Sequence, residues 1–504
     1  MRLLATASLA ALALSACTTD STTPGGHSEG AMMSAGPDAC LGVVQSDFGG
    51  SDVDGQWIPA ADGLPAYCEI TATMHPVDGS NIGVVYRLPE NWNGDVLGIG
   101  GGAWLGNTSL QAASDGLRKG YAAMQTNGGH LSTEAWGNEW TINPVQAADF
   151  SHRAIHTMTD TGKVVAEIFY GQQHDTAVYS GCSTGGRMGL MEAQRYPTDY
   201  DAIIVGAPVY TLQVQTSSVF RNQTFAQPGG GFTPAELQMV QDASLAACDG
   251  NDGLVDGIIN APDQCTWQPR TLQCSPGESE GCLSPQQVDT LNTIYNGIRA
   301  SDGSWAMHPM RRGGEASWAF FVVANGGGQN ADPTRGGGLM GLQPVIFGAR
   351  PVDWTNFTDA NYLTVRNSDF ADMYEADSPD LSAFFGHGGR LMLWHGESDA
   401  GPSPVLSEDY ARAVMAQNPE ASAQFSYYTV PGMGHCAGGP GADQIDYIGA
   451  MEGWMDSGSA PDRLIGGKAD GSLTRPHCAW PSVARFDGEG DANDPDNWTC
   501  VPRT

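Results

Sequence analysis

Residues 176–195 restrict the fold more than any other stretch of this sequence. Residues 176–181 read as a short buried strand and residues 185–195 as a helix. Between them lies Gly181-Cys182-Ser183-Thr184-Gly185, which fits the pattern G-x-S-x-G. A serine on so tight a strand-to-helix turn presents its hydroxyl at the carboxyl edge of a sheet, where an activated nucleophile is used. The flanking glycines permit a strained backbone and close approach of helix to strand. In a chain with 67 glycines the bare pattern says little, and its setting between strand and helix gives it weight. The plainer alternative is a Gly-rich loop whose serine caps the next helix.

Further strands are expected at residues 81–88, 95–99, 120–125, 200–205, 389–395 and 425–430, and helices at 152–170 and 444–454. This alternation implies a mostly parallel sheet flanked by helices, an α/β architecture. It fails over residues 210–385, which hold glycine clusters at 229–231, 326–328 and 336–338, many aromatics and four cysteines. That segment reads as an inserted lid domain between two parts of a sheet domain, 40–209 and 386–504. Ligand sites often lie at such junctions.

In the α/β-hydrolase fold the catalytic order is Ser, then Asp or Glu, then His. The strand at 389–395 leads into Gly396-Glu397-Ser398-Asp399, and the strand at 425–430 into Pro431-Gly432-Met433-Gly434-His435-Cys436. Asp399 is the expected acid, with Glu397 as its rival, and His435 the expected base for Ser183. Gly100-Gly101-Gly102 follows a strand directly, so its backbone N–H groups suit an oxyanion, unless it is simply a flexible loop. Cys182 precedes the serine and Cys436 follows the histidine. A disulfide between them would lock nucleophile to base, the alternatives being free thiols or other partners.

The N-terminus reads as an export signal. Arg2 precedes a mostly apolar run over residues 3–14, too short to span a bilayer. Leu14-Ser15-Ala16-Cys17 resembles a bacterial lipobox, which implies removal of residues 1–16 and lipidation of Cys17. An ordinary signal peptide with an incidental cysteine is the alternative. Thr18 in place of aspartate favours the outer membrane, and residues 17–39 suit a tether. Setting Cys17 aside leaves ten of the 11 cysteines, an even number that in an exported chain suggests five disulfides of undetermined pairing. The net charge of −33 argues against nucleic acid as a partner. Contact with a membrane is expected only through the lipid anchor.

Cys182-Ser183, Asp399 and His435-Cys436 together resemble the CS-D-HC motif of the tannase/feruloyl esterase family, which includes mono(2-hydroxyethyl) terephthalate hydrolases. Residues 385–399, 430–441 and 460–462 also look like that family. The resemblance implies an α/β-hydrolase fold with a large inserted lid, and serine-dependent hydrolysis of small aromatic esters. Feruloyl-type esters come first, with gallate and terephthalate monoesters as alternatives. It implies disulfides Cys182–Cys436, Cys248–Cys265, Cys274–Cys282 and Cys478–Cys500, with Cys40 and Cys68 remaining. It places the oxyanion hole at the amides of Thr184 and a glycine at 101–102, taken as Gly102. Trp305, Trp318, Phe320, Phe321, Phe347 and Trp354 are candidates for an acyl pocket, although such residues are more often core. Arg335 or Arg350 could hold a substrate carboxylate, although each is more simply a surface arginine. The rivals are an acyltransferase on the same triad and a non-catalytic, calcium-stabilised binding protein. Metal-ligand spacing such as H-E-x-x-H is absent from the sequence, against a metallohydrolase.

Residues 248–258 carry a second signal. Asp249, Asp252 and Asp256 crowd into one glycine-relieved loop, the oxygen-rich chemistry that Ca2+ requires. It is not an EF-hand, because Leu254 occupies the sixth position and Asn260 stands where the closing glutamate would be. The resemblance implies side-chain ligands from Asp249, Asp252 and Asp256, and carbonyl ligands from Leu254 and Ile258. The period-2 spacing from 252 to 258 suits an extended loop pointing inward. An Asp-Gly turn with solvated carboxylates is the alternative.

Overall fold

The computed structural model describes residues 33–321 and 338–503. The signal segment, Cys17 and Arg335 lie outside the described residues, as do the side chains of Phe320 and Phe321. Nine strands form one sheet: β1 (Gly50–Ile58), β2 (Tyr67–Met74), β3 (Ile82–Pro89), β4 (Val96–Ile99), β5 (Ala122–Thr126), β6 (Ala177–Cys182), β7 (Ala202–Gly206), β8 (Arg390–Gly396) and β9 (Phe425–Val430). Their order across the sheet is β9-β8-β7-β6-β4-β5-β3-β2-β1. Strands β4 to β9 run parallel to one another. Strands β1 to β3 are antiparallel, with β3 joined antiparallel to β5.

The parallel strands are apolar on both faces because both are covered. Alternate residues point to opposite sides. Tyr179, Ile203, Val205, Leu391, Leu393 and Tyr427 enter one core. Val178, Ala202, Ile204, Met392, Trp394 and Tyr428 enter the other. The first core takes in helices α1 (Ala154–Tyr170) and α2 (Thr184–Arg195).

Between β7 and β8 the chain leaves the sheet and forms helices α3 (Gln213–Ala226), α4 (Pro234–Cys248) and α5 (Pro285–Asn296). Thr233 with Glu236, and Ser284 with Gln287, make reciprocal capping boxes at the starts of α4 and α5. Val219, Phe220, Leu237, Leu291 and Trp318 of this insertion belong to the same core as α1 and α2. Helix α6 (Pro404–Gln417) follows β8.

One stretch departs from the sequence expectations. The helix expected from residue 444 is α7 (Tyr447–Ser457), because Asp446 caps it by accepting from the Gly449 amide at 2.9 Å. Gln444 and Ile445 pair instead with Gly467 and Gly466. The C-terminal tail forms short antiparallel pairs. Arg463–Gly467 pairs with Thr474–Cys478, and Ser482–Phe486 with Trp498–Pro502.

Candidate active site

Each residue expected to act follows the carboxyl end of a parallel strand, where α/β sheets place their sites. Strand β6 ends at Cys182, and Ser183 takes a positive φ of 63° with ψ −123°. For a non-glycine residue such a backbone costs roughly 1–3 kcal/mol and persists only where its surroundings enforce it. Here the Ser183 amide donates to Gly206 O at 2.9 Å, and its carbonyl accepts from Arg187 and Val209 at 3.1 and 3.0 Å. Glycines make room for the turn. A Cβ on Gly181 would lie 2.5 Å from Gly185 O, and one on Gly100 2.4 Å from Gly185 Cα.

After β8, Asp399 is buried, and its Oδ2 accepts from His435 Nδ1 at 2.6 Å and His395 Nε2 at 3.1 Å. Its Oδ1 accepts from the Gly401 amide at 2.7 Å. Burial opposes ionisation of Asp399, yet the two imidazoles hold its carboxyl well below the usual carboxylate range. Burial disfavours a proton on His435, but the Asp399 carboxylate outweighs it and raises the imidazole above its ordinary value of 6.5. Glu397 is engaged elsewhere, with Arg311 at 3.4 Å and Arg503 at 3.5 Å, so His435 faces Asp399 and not its rival.

The five disulfides join Cys40–Cys68, Cys182–Cys436, Cys248–Cys265, Cys274–Cys282 and Cys478–Cys500. The second ties the residue before Ser183 to the residue after His435, with Cα atoms 6.0 Å apart. Thr184 is the first residue of α2, so its amide lacks an intrahelical acceptor and sits at the positive end of the helix dipole. The Gly101 amide turns to Met188 Sδ at 3.5 Å, whereas Gly102 is exposed and its carbonyl accepts from the Leu105 amide at 3.0 Å.

Sequence reasoning missed His395, Ser407 and Arg221 here. His395 Nε2 faces two acceptors, Asp399 Oδ2 and Pro402 O, so that nitrogen carries hydrogen and Nδ1 accepts from Ser407 Oγ at 2.7 Å. Arg221, buried in α3, donates to Gly401 O at 3.0 Å. Burial pushes its guanidinium down to about 10, opposed by the Asp399 charge. The one sequence hint was His395's place near the end of the strand that delivers Asp399. Among the acyl-pocket candidates, Trp318, Phe347 and Trp354 are buried core residues, with Trp318 against Tyr295 and Trp354 stacked on Phe357. Trp305 lies under the Arg299 guanidinium, and Arg350 Nε donates to Phe347 O.

The 248–258 loop is not extended throughout. Asp249–Asp252 forms a 3-10 turn, and Gly253 and Gly257 take φ of 94° and 86°, which breaks the period-2 alternation. Asp249 accepts from the Asp256 and Gly257 amides. Asp252 accepts from the Leu254 amide and Asn260 Nδ2, and Asp256 from the Ile258 amide and the Arg475 guanidinium. A separate group that could hold a metal ion consists of His156, Glu192 and Asp199.

Residues 68–335 and 340–501 match the family model described as tannase and feruloyl esterase. The chain is 30% identical to a mono(2-hydroxyethyl) terephthalate hydrolase from Piscinibacter sakaiensis, covering 88% of this chain and 86% of that relative. It is 30% identical to a probable feruloyl esterase B-1 from Aspergillus fumigatus, covering 86% of each. Its fold matches the crystal structure of feruloyl esterase B from Aspergillus oryzae with a TM-score of 0.81 at 27% identity, covering 92% of this chain and all of that one.

Proposed function

The chain belongs to the tannase and feruloyl esterase family and is a carboxylic ester hydrolase, and from that premise we propose that Ser183, His435 and Asp399 hydrolyse esters of aromatic acids through an acyl-enzyme. One observation carries this reading. His435 Nδ1 lies 2.6 Å from Asp399 Oδ2, in a loop disulfide-bonded to the residue before Ser183. With Nδ1–H donated to Asp399, His435 Nε2 keeps a lone pair. That nitrogen takes the Ser183 hydroxyl proton as Oγ attacks the ester carbonyl. The amides of Thr184 and Gly102 would receive the developing oxyanion. His435 then protonates the departing alcohol. A water molecule, deprotonated by the same nitrogen, attacks the acyl-serine, and the acid leaves as Ser183 regains its proton.

Feruloyl-type esters come first among substrates, supported by the feruloyl esterases in both sequence and structure comparisons. Terephthalate monoesters and gallates follow, supported by the Piscinibacter relative and the family description. The test is turnover of methyl ferulate, methyl gallate and a terephthalate monoester, with Ser183→Ala as control. Hydrolysis of at least one, abolished in the control, is expected. Folded protein that turns over none of them contradicts the aromatic-ester reading.

Three further roles belong to this reading. The first is a structural Ca2+ held by the side chains of Asp249, Asp252 and Asp256 and the carbonyls of Leu254 and Ile258. The donor chemistry fits, because of the three carboxylates only Asp256 pairs with a cation, Arg475, among the described residues, and a divalent cation balances the excess. Second, residues 210–385 act as the lid, since they branch out between β7, whose last residue Gly206 accepts from the Ser183 amide, and β8, which leads into Asp399. Third, Cys17 is a lipid anchor for a chain whose five disulfides suit an oxidising compartment. A Cys17→Ala variant should leave the membrane fraction; retention there contradicts the anchor.

A further inference from the structure

Away from the serine, α1, α2 and the turn after α2 bring together three ligand-type side chains. His156 on α1, Glu192 in the last turn of α2 and Asp199 each offer one ligand atom, all within 4.8 Å of one another. His156 Nδ1 lies 2.6 Å from Asp199 Oδ2. Glu192 is 0% exposed, and neither of its carboxylate oxygens meets a hydrogen-bond donor. Beside it is the Asp199 carboxylate, which can hydrogen-bond to it only if the two share a proton, while the Lys163 ammonium offsets part of the charge without bonding to it. A buried carboxylate without a donor is costly, and a second carboxylate beside it adds to the cost. A shared proton or a bound cation would relieve both.

The surroundings favour the cation. Glu192 stands where the carbonyl end of the α2 dipole is negative. His156 Nε2 faces Asp160 Oδ2 at 3.4 Å, the outer carboxylate that typically orients a metal-bound imidazole. The Tyr196 ring stacks on His156 with centroids 3.9 Å apart and planes within 3°, which fixes the imidazole plane. The His156 side chain is 30% exposed, which gives an ion a way in.

We propose that His156, Glu192 and Asp199 form a divalent transition-metal site of the zinc type that staples α1 to α2. One imidazole nitrogen with two carboxylates is a zinc donor set, whereas Ca2+ takes oxygen ligands alone. Two carboxylates and one divalent cation are neutral together, which suits a buried position. Roughly 12 Å of helix separates Glu192 from Thr184 at 1.5 Å per residue. The ion is therefore structural: it braces the helix whose first turn adjoins Ser183 and takes no part in ester cleavage. This site does not depend on the esterase reading.

The test uses the full chain purified without an affinity tag, stripped with chelator and dialysed into Ca2+ so that oxygen-only sites are filled. Zn2+ is then titrated by calorimetry, bound zinc is counted by elemental analysis, and Tm is followed. About one zinc per chain, accompanied by a rise in Tm, is expected. His156→Ala and Glu192→Gln should each lose that zinc and the Tm response, and Asp160→Asn should weaken binding by ~10-fold or more, the usual outer-partner effect. His156→Ala, at a partly exposed side chain, decides the matter if Glu192→Gln does not fold. Equal zinc content in wild type and His156→Ala overturns the site. So does wild type that binds no zinc, in which case the two carboxylates share a proton instead.

Discussion

At the scale of single residues, the arrangement rests on one carboxylate shared by two imidazoles. Asp399→Asn leaves the shape but presents an amide to His435 Nδ1, which can select the wrong tautomer. kcat should fall about 10^4-fold, as it does when a buried triad acid is replaced in this way. Steady-state kinetics on the folded variant checks this, and a loss below about 10-fold contradicts the role given to Asp399. pH dependence follows from His435. In the proposed mechanism it must be neutral to accept the serine proton, and Asp399 raises its proton affinity above the ordinary 6.5. kcat/KM should therefore fall as pH drops through a value above 6.5, and the acid limb should move to lower pH in Asp399→Asn. An acid limb unmoved by that substitution would assign it to another group. The strand-end positions of Ser183, Asp399 and His435 were legible in the sequence because their chain order follows the sheet. His395 was not. Its place near the strand end was the one hint, and that alone does not mark which carboxylate a strand histidine will meet.

At the scale of elements, the elbow is built by backbone contact between the 100–102 loop and the start of α2. Gly100→Ala would set a Cβ 2.4 Å from Gly185 Cα, where neither backbone can yield cheaply. Overpacking of this kind costs about 1–3 kcal/mol, so Tm should fall and turnover with it. A variant as stable and active as wild type contradicts the packing argument. The Cys182–Cys436 bridge positions the histidine loop. Replacing both cysteines by alanine should cut kcat by about 10^2-fold in the fraction that remains folded, the scale set by an ångström of misplacement. Full turnover by a folded double variant removes that role. The parallel strands were legible as apolar runs because both faces are buried. Strands β1 and β2 were not, since β1 alternates between half-buried and exposed positions and includes Asp52, Asp54 and two glycines, Gly50 and Gly55. The late start of α7 depended on the cap at Asp446, which competes with strand pairing at Gln444 and Ile445.

At the scale of the whole molecule, the insertion between β7 and β8 shares its core with the sheet, so a cation bound in the 249–258 loop stabilises more than the loop. At a free Ca2+ concentration of a hundred times the dissociation constant, the Ca2+ proposed for this loop would add ~2.7 kcal/mol to folding. Excess EDTA should lower Tm, and Ca2+ should restore it. An unchanged melt would place the loop's stability in its hydrogen bonds to Asn260 and Arg475 alone. The aspartate cluster was legible in the sequence, but its conformation was not. Gly253 and Gly257 turn the backbone where spacing alone suggested an extended run. The insertion's interior was least legible, because short helices capped by side chains leave weak periodicity. The most direct measurement for the chain as an esterase is intact-mass spectrometry after treatment with a fluorophosphonate, which labels activated serines. A single adduct mapped to Ser183, absent in Ser183→Ala and much slower to form in His435→Ala, is the outcome expected. Ester turnover that persists with Ser183 unlabelled, or an adduct on another serine, would contradict the assignment.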